Sequence, residues 1–172
     1  MGILAASLLA MLQQGSATPP PASPPNPCAA EEFAAFDFWV GEWDVYQTGT
    51  ETQVATSRIE KVSNGCAVRE TWMPLRGGTG SSLTTLDPQT GTWHQLWVGA
   101  QPGRVLFEGG PVDGAMILTG YWGQDQQGQP ILVRMTYTLG EDGSVRQYGQ
   151  ASSDHGQSWS DSFDLTYRPK AG

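Results

Sequence analysis

The sequence predicts an all-β fold, an antiparallel up-and-down β-barrel of about eight to ten strands with a short helical turn at its N-terminal end. Three observations carry this. From residue 38 onward the chain is a succession of short segments rich in Val, Ile, Thr, Tyr and Trp, each ended by a turn signal within about a dozen residues. Charged residues make up only 15% of the 172, while 22 are glycine, a balance that suits turn-rich β structure better than surface helices. Ten such segments are too many for a flat two-sided sheet in a chain this short, and closing the sheet removes its edges. The length allows one hydrophobic core and makes a second improbable on size alone. With nine Lys and Arg against 17 Asp and Glu, the formal charge is -8, the wrong sign for holding a phosphate backbone, so nucleic acid is not an expected partner.

Residues 3–12 form an uncharged, largely apolar run, followed by Gln13-Gln14-Gly15-Ser16-Ala17 with the small residues that suit a signal peptidase. Residues 1–17 are therefore read as a signal peptide, and the mature protein is expected in the periplasm or the medium. The run falls short of the roughly 20 residues that span a bilayer, and no membrane span is expected. Residues 18–32 read as a proline-rich spacer, because TPPPASPPNP offers few backbone donors and favours an extended polyproline conformation. Residues 33–170 are expected to form a single barrel domain. Across the boundary between the two, residues 31–36 are the helix candidate, one or two turns long and placed to plug a barrel end.

The strands are expected at 38–47, 53–62, 67–73, 81–86, 92–98, 104–108, 115–122, 131–139, 144–152 and 158–167. Asn64-Gly65, Asp87 to Gly91, Asp113-Gly114, Glu141-Asp142-Gly143 and Asp154-His155-Gly156 separate them with residues that tolerate positive φ, so sequential strands should pair as hairpins. In an exported chain Cys28 and Cys66 are expected to form a disulfide, tying the end of the spacer to the Asn64-Gly65 turn; the alternative is two unrelated thiols. Two cysteines and the distant His94 and His155 lack the spacing of a zinc site, and no metal or other cofactor is indicated.

Gly41-x-Trp43 at the start of the first strand resembles the opening of lipocalins and the wider calycins, in which the glycine allows close backbone approach and the tryptophan packs across the barrel base. The run FDFWVGEWDV at 36–45 contains it. Together with Gly65-Cys66-Ala67-Val68-Arg69-Glu70-Thr71-Trp72, Trp93-His94-Gln95-Leu96-Trp97-Val98, Gly143-Ser144-Val145-Arg146-Gln147 and Ser152-x-Asp154-x-Gly156-x-x-Trp159, it is similar to exported bacterial proteins of "domain of unknown function 1579" over about residues 33–168. The resemblance implies a calycin-like barrel. It brings no established reaction, so no catalytic residue is carried over. The last motif also fits the Asp-box of sialidase propellers, where it is a hairpin device; one copy in a short chain does not build a propeller.

The leading functional expectation is an exported barrel that binds a small apolar or amphipathic molecule without chemistry. Trp43, Trp72, Trp97 and Tyr148 are the candidate apolar lining, and Glu70, Gln95, Arg134 and Arg146 the candidate groups for a polar end. Glu70 shares its face with Val68 and Trp72, and a buried carboxylate needs a partner, which Arg134 or Arg146 could supply. His94 alternates with Leu96 and Val98, which suggests a core or lumen position. The alternative is a barrel enzyme, an isomerase, cyclase or hydrolase, with Glu70 or His94 as general acid or base. Haem ligation by His94 and a barrel filled by its seven tryptophans are further options. All these assignments rest on strand parity, and a one-residue change of register exchanges the lining for its neighbours.

Overall fold

Turn chemistry sets where the strands end. Asn64-Gly65 takes φ of 56° and 86°, Asp113-Gly114 of 49° and 82°, and His155-Gly156 of 58° and 88°. These left-handed conformations reverse the chain tightly enough for each strand to pair with the next. In the computed structural model, which describes residues 26–170, the result is a closed barrel. Its ten strands are β1 (Gly41–Gln47), β2 (Gln53–Val62), β3 (Ala67–Pro74), β4 (Gly80–Asp87), β5 (Thr92–Val98), β6 (Val105–Val112), β7 (Ala115–Gln124), β8 (Pro130–Leu139), β9 (Val145–Ser152) and β10 (Ser160–Pro169). Each pairs antiparallel with its sequence neighbours, and β1 pairs with β10 from Trp43 opposite Pro169 to Gln47 opposite Leu165. The expected signal peptide and most of the expected spacer fall outside the described residues.

Two local differences from the expected elements have simple causes. The first strand begins at Gly41 and not at residue 38, because Asp37–Trp39 forms a 3-10 turn that turns Phe36 and Trp39 into the barrel. The sixth strand runs on to Val112, since Pro111 pairs with Met116 and so extends a segment whose Gly109-Gly110-Pro111 reads as a stop. Residues 26–32, at the end of the expected spacer, are drawn onto the barrel. Asn26 Nδ2 donates to Asn64 O at 2.6 Å, Cys28 and Cys66 form a disulfide, and two 3-10 turns follow at Pro27–Ala29 and Glu31–Ala34.

These turns plug the end of the barrel that carries the β2–β3, β4–β5, β6–β7 and β8–β9 connections. Phe36 stacks on Trp39 at 4.9 Å between ring centroids, and both rings pack against Tyr137. Lys61 Nζ donates to Phe33 O at 2.7 Å and to Asp37 Oδ1 at 2.6 Å, fastening the plug to β2. Trp93, Met116, Leu118 and Val145 fill the space around it, each buried large apolar side chain contributing about 1.5–3 kcal/mol. The opposite end, ringed by the β1–β2, β3–β4, β5–β6, β7–β8 and β9–β10 loops, carries no such plug among the described residues. The outer wall faces water and carries both ion pairs, such as Arg69–Glu60 and Arg146–Asp164, and exposed apolar side chains, among them Leu83, Leu96 and Leu106 side by side on β4, β5 and β6.

The Asp-box hairpin does what its sequence predicts. Asp154 accepts from Ser158 N and Ser158 Oγ, and the Ser158 hydroxyl is the main cause that holds its carboxyl down at about 2. Trp159 donates its indole N–H to Gly156 O at 3.1 Å, with the Arg134 guanidinium lying over its ring. The motif is an element of the turn.

Candidate functional site: an aromatic cup with a carboxyl floor

Above the plug the barrel is open. A cavity of about 250 Å3 lies between the walls of β3, β5–β10 and the polar side chains beneath. For scale, a dry cavity of about 150 Å3 holds one benzene. Its walls are aromatic: Trp72 from β3, Trp97 from β5, Phe107 from β6, Trp122 from β7 and Phe163 from β10. Trp122 holds this ring together, meeting Phe107 edge-on at 6.1 Å, Phe163 at 6.4 Å and Trp97 at 6.4 Å. Two inward glycines make the room. A Cβ on Gly149 would overlap the Phe163 ring, and one on Gly80 would overlap the Trp97 indole. Trp72, Trp97 and Trp122 also border a wider vestibule of about 430 Å3, lined by Gly78, Thr79 and residues 99–104.

The floor is polar, and strand register builds it. Ser82 stands directly opposite Glu70 across β3 and β4, and its Oγ donates to Glu70 Oε2 at 3.0 Å. Ser57 on β2 donates to Oε1 at 3.4 Å. Gln147 on β9, opposite Tyr137, donates through Nε2 to the Tyr137 hydroxyl at 2.9 Å and accepts from the Tyr167 hydroxyl at 2.7 Å. Gln95 donates to Thr84 Oγ1 at 3.0 Å. A linked set of neutral groups therefore surrounds one carboxyl.

Glu70 is 5% exposed and borders the cavity. Burial pushes its carboxyl up to about 7 against the opposing pull of the Ser82 and Ser57 hydroxyls. Burial and then the Glu70 charge push the Tyr137 and Tyr167 phenols well above their ordinary value. Among the described residues no cation pairs with Glu70. The basic side chains that form ion pairs do so with Asp37, Glu51, Glu60 and Asp164 instead.

Of the residues singled out in the sequence, Glu70, Trp72, Gln95 and Trp97 come together in this cup. The others do not. Trp43 is buried but lies below the cavity, its N–H donating to Trp39 O and its ring edge-on to Tyr167. Arg134 is on the outer wall, donating to Gln150 Oε1 at 2.6 Å, and so cannot partner Glu70. Arg146, its side chain 52% exposed, clamps Asp164 through Nε at 2.8 Å and Nη2 at 2.5 Å. Tyr148 lies outside beneath that guanidinium and donates to Asp161. His94 is outside as well, 42% exposed with Nδ1 3.4 Å from Glu108 Oε1, which removes it from the lumen as a base or haem ligand. The physical reason is the same in each strand. Val133 and Met135, Val145 and Gly149, and the pair Trp93 and Trp97 bury more apolar surface or admit a neighbouring ring, so their parity turns inward and the alternate residues face water.

The sequence reading missed Phe107, Trp122, Met135, Tyr137, Gln147, Phe163, Leu165 and Tyr167 as lining. The alternation of Met135 with Tyr137 and of Phe163, Leu165 and Tyr167 carries the signal, but fixing it requires knowing which strands face each other. Among the described residues no group of three His, Cys, Asp or Glu side chains could hold a metal ion.

Neither protein-family models nor curated proteins match this chain.

Proposed function

We propose that this protein is an exported barrel that binds a small amphipathic molecule in its upper lumen. The apolar part lies against Trp72, Trp97, Trp122 and Phe163, and the polar end reaches Glu70, Gln95 and the Gln147–Tyr137–Tyr167 set. One observation carries the reading: an open aromatic cup stands over a buried carboxyl whose hydrogen bonds are incomplete, the pattern of an apolar pocket with a few orienting polar groups. Export draws support from the Cys28–Cys66 disulfide, which persists in oxidising compartments, and from the leader-like residues 1–17. Among the described residues no helix is long and apolar enough to cross a membrane. Kinship with the calycin-like proteins of "domain of unknown function 1579" belongs to the same proposal.

The test is native mass spectrometry of the protein purified from the cells that make it, before and after denaturation and solvent extraction. A reproducible mass increment lost on extraction supports the binding reading and gives the ligand's mass. No increment, together with unchanged tryptophan fluorescence across lipid and haem panels, removes it. A second reading uses the same carboxyl as a general acid or base, since burial brings Glu70 to about 7, where proton transfer is efficient near neutral pH. It requires turnover that Glu70→Gln abolishes while the fold is retained.

A further inference from the structure

We infer that the molecule taken into the upper lumen carries a protonated nitrogen, and that the Glu70 carboxylate is its counter-ion. The inference rests on the binding reading above and gives it a ligand class, a primary or secondary ammonium on a body of one or two rings.

The first observation is the incompleteness of the carboxyl's surroundings. A carboxylate offers about four lone-pair sites. Glu70 uses two, for Ser82 at 3.0 Å and Ser57 at 3.4 Å, and its remaining face borders the cavity. The groups packed around it add no positive charge. β2 supplies Ser57 and β4 supplies Ser82, β5 supplies Gln95, β8 the Tyr137 phenol, and β10 the Tyr167 phenol. Under a neutral ligand the buried carboxyl would keep its proton and take no counter-ion, and an anionic ligand would hold it protonated or meet its charge with repulsion. An ammonium neutralises it and supplies the missing donors.

The second observation is the distribution of cations over aromatic rings. Arg134 lies over Trp159, Arg146 over Tyr148 and Arg168 over Tyr46, all away from the cavity. The rings of the cup, Trp72, Trp97, Trp122 and Tyr167, carry no such partner among the described residues. Their faces are electron-rich surfaces that attract a desolvated cation within about 6 Å. The formal charge of -8 over the whole chain also favours the approach of a cation over an anion.

Calorimetric titration with three probes that share one ring system tests this: 2-naphthylmethylamine, 2-naphthalenemethanol and 2-naphthoate. At about pH 8, where the amine is protonated and Glu70 is ionised, the amine should bind at least about tenfold more tightly than the alcohol, a difference of about 1.4 kcal/mol, with naphthoate the weakest. Near pH 5 Glu70 holds its proton and the preference for the amine should shrink. In Glu70→Gln, checked for fold by near-UV circular dichroism, amine and alcohol should bind alike at both pH values. The pH series on the unmodified chain stands without the variant. An alcohol bound as tightly as the amine at pH 8, or a preference for the amine that does not change with pH, overturns the ammonium assignment and leaves the binding reading intact. If none of the three probes binds at millimolar concentration, the lumen does not take small ring compounds and both readings fall.

Discussion

Glu70→Gln should stabilise this protein at high pH and leave it nearly unchanged at low pH. In the native barrel the carboxyl is buried among Ser57, Ser82 and the phenols, and it titrates at about 7 where an ordinary glutamate titrates at 4.5. Between these values the native state holds a proton that the unfolded chain has released. Stability from this group is therefore complete below about pH 4.5 and is lost as the pH rises through about 7. Each tenfold change in proton affinity corresponds to about 1.4 kcal/mol, so an ionised Glu70 costs about 3 kcal/mol above neutrality. Glutamine has the same shape, keeps an oxygen for a serine hydroxyl and never ionises. The variant should then exceed the parent by about 3 kcal/mol at about pH 8, some 6–12 °C in melting temperature for a domain of this size, with a gap under about 1 kcal/mol near pH 4. Urea unfolding of both chains at a series of pH values measures the difference directly, and titrations common to the two cancel. A gap that is constant across the series, or that narrows as the pH rises, would show that Glu70 is not buried uncompensated and would sink the description of the floor.

Other perturbations reach different parts of the molecule. Replacing Cys28 and Cys66 together by serine opens a loop of sequence separation 38 and should cost about 4 kcal/mol by chain entropy; urea midpoints under reducing and oxidising conditions check it, and a loss under about 1 kcal/mol would count against that account. Gly149→Ala drives a methyl group into the Phe163 ring, so it should destabilise by about 1–3 kcal/mol and shrink the cup, seen as a lower melting temperature and weaker uptake of the naphthyl probes. Arg134→Ala, Arg146→Ala and His94→Ala alter only the outer wall and should leave probe affinity within about twofold, whereas Trp97→Ala, which removes one wall of the cup, should weaken it at least about tenfold. Equal effects from the outer and inner substitutions would place the binding site elsewhere.

Much of the fold is legible in single segments. The Asn64-Gly65 and Asp113-Gly114 turns, the alternation of Val133, Met135 and Tyr137, and the Asp-box hairpin at Ser152–Trp159 are local signals, each read from a few neighbouring residues. The candidate site is only half legible for the same reason. Glu70 and Trp72 lie two residues apart on one strand and Gln95 and Trp97 on another, so parity alone groups each pair. The choice between Gln147 and Arg146, or between Met135 and Arg134, depends on what stands opposite. Gln147 faces Tyr137 and Leu165, and Gly149 faces Met135 and Phe163, relations made by the β8–β9 and β9–β10 registers.

The sequence by itself determined the class of fold and where its hairpin turns fall, because turn residues and strand alternation act over short stretches of chain, whereas the Cys28–Cys66 pairing, at a separation of 38, was an expectation that the folded barrel met. Tertiary structure alone decided that the tryptophans divide, with Trp39, Trp43 and Trp93 packed low in the barrel and Trp72, Trp97 and Trp122 standing around an open cup. It also decided that Glu70 faces serines and phenols with no arginine beside it. Closing ten strands into a ring sets distant residues face to face, and the balance of burial and charge at each position is summed over all the walls at once.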